Sequence, residues 1–178
     1  MMIATPRLIL RNWRDDDLIP FNAMGRDPAV MEHLGPLQTH ADTQAAIIRL
    51  QTIAATHGHT FWAIERLEDA AFLGFCGLKI APENIPGIED AIEIGWRLRS
   101  DAWGQGYARE AATASLAWGW ANLPVDRIIA ITTPANLRSQ GLMERLGMVR
   151  RRDLDFAHPA LAADDPLSPH VTYEIFRS

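Results

Sequence analysis

The chain has 178 residues, 48% of them hydrophobic and 22% charged, with a formal net charge of −5. That length fits one domain with a sizeable core, and the composition excludes a disordered chain or a collagen-like fibre. A single cysteine, Cys76, excludes a disulfide framework or a thiolate metal cage, while the acidic balance disfavours a nucleic-acid-binding surface and leaves room only for a local patch that holds one anionic cofactor.

The opening Met1-Met2-Ile3-Ala4-Thr5-Pro6-Arg7 lacks a basic stretch followed by an apolar core, so no signal peptide is expected. No charge-free apolar run is long enough to span a bilayer. A reducing cytoplasmic setting suits the lone cysteine. With no linker, repeat or composition break, residues 1–178 read as one domain.

Arg7 to Trp13 reads as a first strand, and Asp15-Asp16-Asp17 place acids at a helix start, where the macrodipole favours them. Two helical stretches follow, from about Leu18 to Leu34 and from about Asp42 to Thr56, with Pro28 and Gly35-Pro36 as breaks. Thr60 to Glu65 and Ala71 to Ile80 read as consecutive antiparallel strands, and the stretch from Ala81 to Asp90 as a loop. Ala91 to Arg99 is the clearest strand. Alternation puts Ile92, Ile94, Trp96 and Leu98 on one face and Glu93, Gly95, Arg97 and Arg99 on the other.

A helix from about Gly106 to Asn122 stops at Pro124. The strand Arg127 to Thr132 and a helix from Asn136 to Leu146, closed by Gly147, come next. A loop from Ala157 to Pro169 leads to a last strand, His170 to Phe176. Helices and strands alternate only in the second half, after a run of antiparallel strands. That order predicts an α/β domain with a mixed, mainly antiparallel sheet rather than a doubly wound one.

The segment Asp101-Ala102-Trp103-Gly104-Gln105-Gly106-Tyr107-Ala108-Arg109-Glu110 follows a strand and opens a helix. Gly104 and Gly106 leave the backbone uncovered, so successive N–H groups and the helix dipole can meet an anion such as a pyrophosphate. A nucleoside-triphosphate loop would need a Gly-Lys-Ser/Thr ending, which is missing. A dinucleotide fingerprint would need a third glycine where Arg109 stands and an acid near Thr132 and Thr133. A plain strand-to-helix turn is the bland alternative.

Glu93-Ile94-Gly95-Trp96-Arg97-Leu98, Gly104-Gln105-Gly106-Tyr107-Ala108-Arg109-Glu110-Ala111 and Asn136-Leu137-Arg138-Ser139 through Gly147-Met148 together resemble the core motifs of the general N-acetyltransferase (GNAT) superfamily. Thr5 to Arg11 and Phe61-Trp62-Ala63-Ile64 are similar to the opening of its ribosomal-protein-alanine acetyltransferase branch. The resemblance implies a twisted sheet whose fourth and fifth strands splay apart around a pantetheine arm. It implies acetyl transfer from acetyl-CoA to a primary amine, with no metal. The acceptor would be a protein N-terminus, polyamine, antibiotic or small metabolite, and the enzyme a monomer or homodimer without membrane or nucleic-acid partners. A non-catalytic acyl-CoA-binding module is the alternative. Cofactor contacts carried over by the resemblance are Trp96, Arg97, Leu98, Trp103, Gly104, Gln105, Gly106, Tyr107, Ala108, Asn136, Ser139 and Met143. The sequence departs from the family's pattern at Asp101, where Gln or Arg is usual, and at Met143, where many members place a tyrosine.

Asn136, Ser139, Gln140 and Met143 share one helix face. Asn136 reads either as an N-cap for the Ser139 amide or as a pantetheine ligand, and one Asn has atoms for both. Ser139 would lie near the thioester sulfur. Glu93 stands mid-strand among apolar residues, where a carboxylate is costly unless paired or useful. It reads as the base that deprotonates the amine, with open space beside it at Gly95, or as half of a salt bridge with Arg97 or an arginine on a neighbouring strand. The histidines have no metal-ligand spacing.

Overall fold

Acids, caps and glycines mark where each element begins and ends. The computed structural model describes residues 2–82 and 84–177. Its elements run β1 (Met2–Ala4), β2 (Leu8–Arg11), α1 (Leu18–Gly25), α2 (Pro28–Met31), α3 (His40–His57), β3 (Phe61–Arg66), β4 (Phe72–Ile80) and β5 (Ile92–Leu98). Then follow α4 (Tyr107–Asn122), β6 (Arg127–Thr132), α5 (Leu137–Arg145), β7 (Val149–Arg150), β8 (Phe156–Ala157) and β9 (Pro169–Phe176).

The helical stretch expected over residues 18–34, with Pro28 as a break, is two helices, α1 and α2. Asp27 caps the second by accepting from the Ala29 amide, and Pro28 occupies its first turn, where its missing N–H costs nothing. Thr39 and Asp42 form a reciprocal capping box ahead of α3, which Gly58 ends in a left-handed conformation. The short strands β1, β7 and β8 were not legible in the hydrophobic pattern, because strands of two or three residues show no alternation.

The sheet order is β1-β2-β3-β4-β5-β6-β9-β7, with β8 on β9. Every pairing is antiparallel except β5 with β6, as the sequence order implied. One sheet face carries Leu8, Leu10, Trp62, Ile64, Cys76, Leu78, Ile92 and Ile94 against Ala111, Ala112 and Leu116 of α4. On the other, Ala63, Phe72 and Phe75 pack against Trp13, Phe21, Met24 and α3 residues Ala46, Ile47 and Leu50. A third cluster places Ile85 and Ile88 of the 81–90 loop over Ile129 of β6.

Candidate active site

Two parallel strands can be joined only by a crossover, here α4, and their carboxyl ends then point the same way. β5 and β6 pair only at Ile92–Ile128 and Glu93–Ile129. Beyond those rungs the strands diverge, leaving from Ile94 onward an edge of β5 whose backbone has no β6 partner among the described residues. Both following helices, α4 and α5, begin at the open end. The wedge is therefore a slot with two helix N-termini at its mouth, a polarity that favours an anion.

The turn at that mouth has the conformation that its glycines allow. Gly104 and Gly106 have φ of +73° and +81°, which L-residues with a Cβ rarely adopt. A Cβ on Gly104 would meet nothing within 4 Å, so its side of the turn is open. Asp101, the acid that should repel a pyrophosphate, is engaged by Arg99 through Nε at 3.1 Å and Nη2 at 2.5 Å. Gln105 is held through both ends, its side chain donating to the Asp101 carbonyl and its own carbonyl accepting from Arg7.

Other expected contacts are structural in their side chains. Trp103 donates to the Leu98 carbonyl at 2.9 Å, and the Arg138 guanidinium stacks 4.3 Å above its ring. Tyr107 and Leu98 are buried in the core, with Trp96 and Ala108 packed against it. Met143 is likewise 2% exposed within that core, so its side chain fills space there rather than lining a surface. Two basic residues at the mouth, Arg7 and Arg138, went unforeseen. Arg7 reaches Gln105 across 98 positions of sequence, and no local pattern announces such a contact.

Asn136 is the N-cap of α5. Its Oδ1 accepts from the Ser139 amide at 3.2 Å and its Nδ2 donates to Thr132 Oγ1 at 3.0 Å. One N–H and one lone pair are left for another partner. Ser139 is half-buried one turn into the helix, with its hydroxyl unbonded among the described residues.

Glu93 and Arg97 share a sheet face with Gly95, as alternation implied, but two details differ from expectation. The space at Gly95 is filled by Phe61, whose ring a Cβ there would meet at 2.6 Å. The partner of Glu93 is a lysine: Lys79, directly opposite on β4, lies 2.8 Å from Oε2. The ammonium is off the hydrogen-bonding direction, so that oxygen is charge-paired without an in-line donor. Arg97 instead turns to Phe75 and Gln38, which places its side chain on the sheet face while its backbone remains at the edge of the slot. His170, at the start of the last strand as expected, stacks on Phe156 with ring centroids 5.2 Å apart. Burial and the neighbouring His158 push its imidazole below the ordinary value, against an upward pull from Glu93. Among the described residues no cluster of three or more metal-ligating side chains occurs. Among those residues, too, no helix is long and apolar enough to cross a membrane.

A mixed sheet, split between two parallel strands with a glycine turn at the mouth of the split, defines the class of acyl-CoA-dependent transferases. Residues 7–149 match the acetyltransferase (GNAT) domain, and the chain belongs to that family of acetyl-CoA-dependent N-acetyltransferases. It is 31% identical over 147 residues to the uncharacterized protein YkkB of Bacillus subtilis (strain 168), covering 82% of this chain and 84% of the relative. Its fold is similar to that of a GNAT-family acetyltransferase from Bacillus anthracis, with a TM-score of 0.81, 23% identity, and 99% and 98% of the two chains covered. RimL, a ribosomal L7/L12 α-N-protein acetyltransferase solved with coenzyme A, shares the fold at a TM-score of 0.78 and 14% identity, over 99% and 98% of the chains.

Proposed function

We propose that acetyl-CoA lies in the wedge between β5 and β6 and that its acetyl group passes directly to a primary amine held on the Glu93 face. The observation that carries this reading is the two-rung parallel pairing, which opens a slot with the Gly104–Gly106 turn at its mouth. The thioester supplies an activated acyl group. The amides of residues 104–108 bind the pyrophosphate, helped by the α4 dipole. The unpaired edge of β5 bonds the pantetheine arm, and Asn136 has one N–H to add from the other side. A backbone N–H between Trp96 and Leu98 holds the developing oxyanion. Glu93 accepts the amine's proton, directly or through water, while Lys79 keeps the carboxylate in place. Ser139 or water returns a proton to the departing thiolate.

The fit extends beyond the turn. A shallow cavity of about 580 Å³ beside it is lined by Thr5, Arg7, Gly106, Arg109 and Glu110. Its two arginines suit the nucleotide end of the same cosubstrate. The reading is tested by following thiol release from acetyl-CoA across N-terminal peptides, polyamines, aminoglycosides and small amines, alongside calorimetry of CoA binding. Thiol release that depends on an amine is the expected result. Tight CoA binding without release from any amine would leave an acyl-CoA-binding module instead.

A further inference from the structure

In the middle of the Glu93 face stand Lys79, Arg97 and the Glu93 carboxylate, flanked by two self-paired groups, Arg11 with Asp17 and Glu65 on one side and Glu174 with Arg127 and Arg151 on the other. Phe61 and Phe75 stack nearly parallel, centroids 5.5 Å apart, on neighbouring strands. Lys79 lies 5.4 Å above the Phe61 ring and Arg97 5.3 Å above the Phe75 ring. Register places the pairs side by side, with Lys79 opposite Glu93 and Phe75 opposite Arg97. Lys79 has Glu93 at 2.8 Å. Arg97 has no carboxylate within 4 Å among the described residues. Its one polar contact is a long 3.4 Å bond from Nη1 to Gln38, and its Nε is buried without an acceptor.

Among the described residues the other lysine and arginine side chains without an ion-pair partner (Arg26, Arg49, Arg109, Arg138, Arg145, Arg152 and Arg177) are all exposed, and water satisfies them. Among the described residues Arg97 is the one that is half-buried with no counter-charge. Desolvation draws its guanidinium down to about 10, still protonated at neutral pH. An aromatic face offsets only part of the cost of burying a cation, and an unsatisfied buried N–H is costly in itself. Such a group persists where a ligand completes it.

We propose that Arg97 anchors a carboxylate on the acceptor, so that the substrate is an amino acid or a similar small molecule bearing both an amine and an acid. This rests on the reading that the Glu93 face receives the acceptor. The charges favour a single negative group. Within the central group Lys79 and Glu93 cancel, which leaves the one positive charge of Arg97, matched by a carboxylate and exceeded by a phosphate dianion. Arg97 stands four residues beyond Glu93 on the same strand face, about 13 Å along the backbone, so an acceptor that meets both spans the Phe61 ring with the two long side chains reaching toward it. The Nε–H is enclosed, so Nη2 is the donor left for a carboxylate, and the Nε–H of the same planar group reports on its arrival.

The test compares glycine, β-alanine, γ-aminobutyrate and δ-aminovalerate with the primary amide of each as acceptors. At the favoured length wild type should prefer the acid by about 10- to 100-fold in kcat/KM, the range of a charge-assisted hydrogen bond. In Arg97→Gln the ratio should fall to near one, and Arg97→Lys should keep part of it. Equal use of acid and amide by wild type, or a preference that survives in Arg97→Gln, overturns the proposal. A second arm needs no turnover. In the CoA-loaded protein the arginine Nε–H resonance missing from Arg97→Lys should shift with the N-acetyl acids and stay put with the N-acetyl amides. No shift with any acid overturns the proposal as well. If no amine releases thiol, acetyl transfer to small amines falls, and the resonance still decides the role of Arg97.

Discussion

At the scale of single residues, Glu93 and Cys76 separate direct transfer from a covalent route. Cys76 is fully buried, and that burial pushes its thiol up to about 12, against a weak contact with Ser115 at 3.7 Å. Almost no thiolate exists at neutral pH, and among the described residues its side-chain partner is the Ser115 hydroxyl rather than a base. Cys76→Ala should keep most of its turnover, and mass spectrometry of enzyme incubated with acetyl-CoA should find no acetyl on Cys76. Glu93→Gln should lose about 10²-fold in kcat if Glu93 takes the proton, with the loss shrinking as pH rises and the amine deprotonates unaided. A Glu93→Gln enzyme of full activity would reduce Glu93 to the partner of Lys79. Glu110 bears on stability rather than on chemistry. Burial raises its carboxyl, but bonds from Thr5 Oγ1 at 2.7 Å and from the Arg7 amide and guanidinium outweigh that and hold it below its ordinary value. A depressed carboxyl contributes stability that is complete above the unfolded value near 4.3 and is lost as pH falls through the folded value. Glu110→Gln should therefore lower Tm at pH 7 and flatten its decline between about pH 5 and 3, as thermal melts across that range would show.

At the scale of elements, the turn between β5 and α4 makes the sharpest prediction. Gly106 needs φ of +81°, and a β-branched residue there is strained whatever space surrounds it. Its Cβ would meet only the tip of Arg7 at 3.5 Å, so Gly106→Val should fold while losing amide access to the pyrophosphate. Calorimetry should show CoA affinity down at least tenfold with a cooperative melt retained. Unchanged affinity would remove the turn from the binding site. This turn was legible in the sequence because its chemistry is local: two glycines, a preceding strand and a following helix lie within about twenty residues. The clear alternation of β5 fixed its two faces for the same reason. What could not be read was contact across the sheet. Lys79 meets Glu93 and Arg97 meets Phe75 through strand register, which depends on how long loops close rather than on either residue's neighbours. Phe61 over Gly95 belongs to the same class, since it needs β3, β4 and β5 aligned at once. The burial of Met143 was not legible either, because a helix face shared with Asn136 and Ser139 does not reveal where the core stops.

At the scale of the whole molecule, the split sheet raises a mechanical question. If only two rungs join β5 to β6, something else must hold β1–β5 to β6–β9. α4 contributes to this, packing across β4 and β5 and reaching Ile128 of β6, alongside the cluster of Ile85 and Ile88 over Ile129. Its approach is closest at Gly119, where a Cβ would meet Leu78 Cδ1 at 2.6 Å and Ile128 Cδ1 at 3.2 Å. Leu78 belongs to β4 and Ile128 to β6, so this one helical position touches both halves. Glycine in a helix interior is worth about 1 kcal/mol less than alanine, and its presence here marks a packing constraint. Gly119→Ala thus sets two effects of opposite sign against each other. The helix gains about 1 kcal/mol, and overpacking costs about 1–3 kcal/mol. Both contacting atoms are side-chain tips, which could turn aside on a surface, but Leu78 and Ile128 have no exposure and are enclosed by the largest core cluster. Overpacking should win, with a net loss of about 1 kcal/mol in urea denaturation and a lower Tm. The helix should also shift from the sheet at the hinge of the wedge, so CoA affinity should fall although no atom near the cofactor has changed. A higher Tm with unaltered CoA affinity would show that Leu78 can rotate away, and that the two halves are joined elsewhere than through α4.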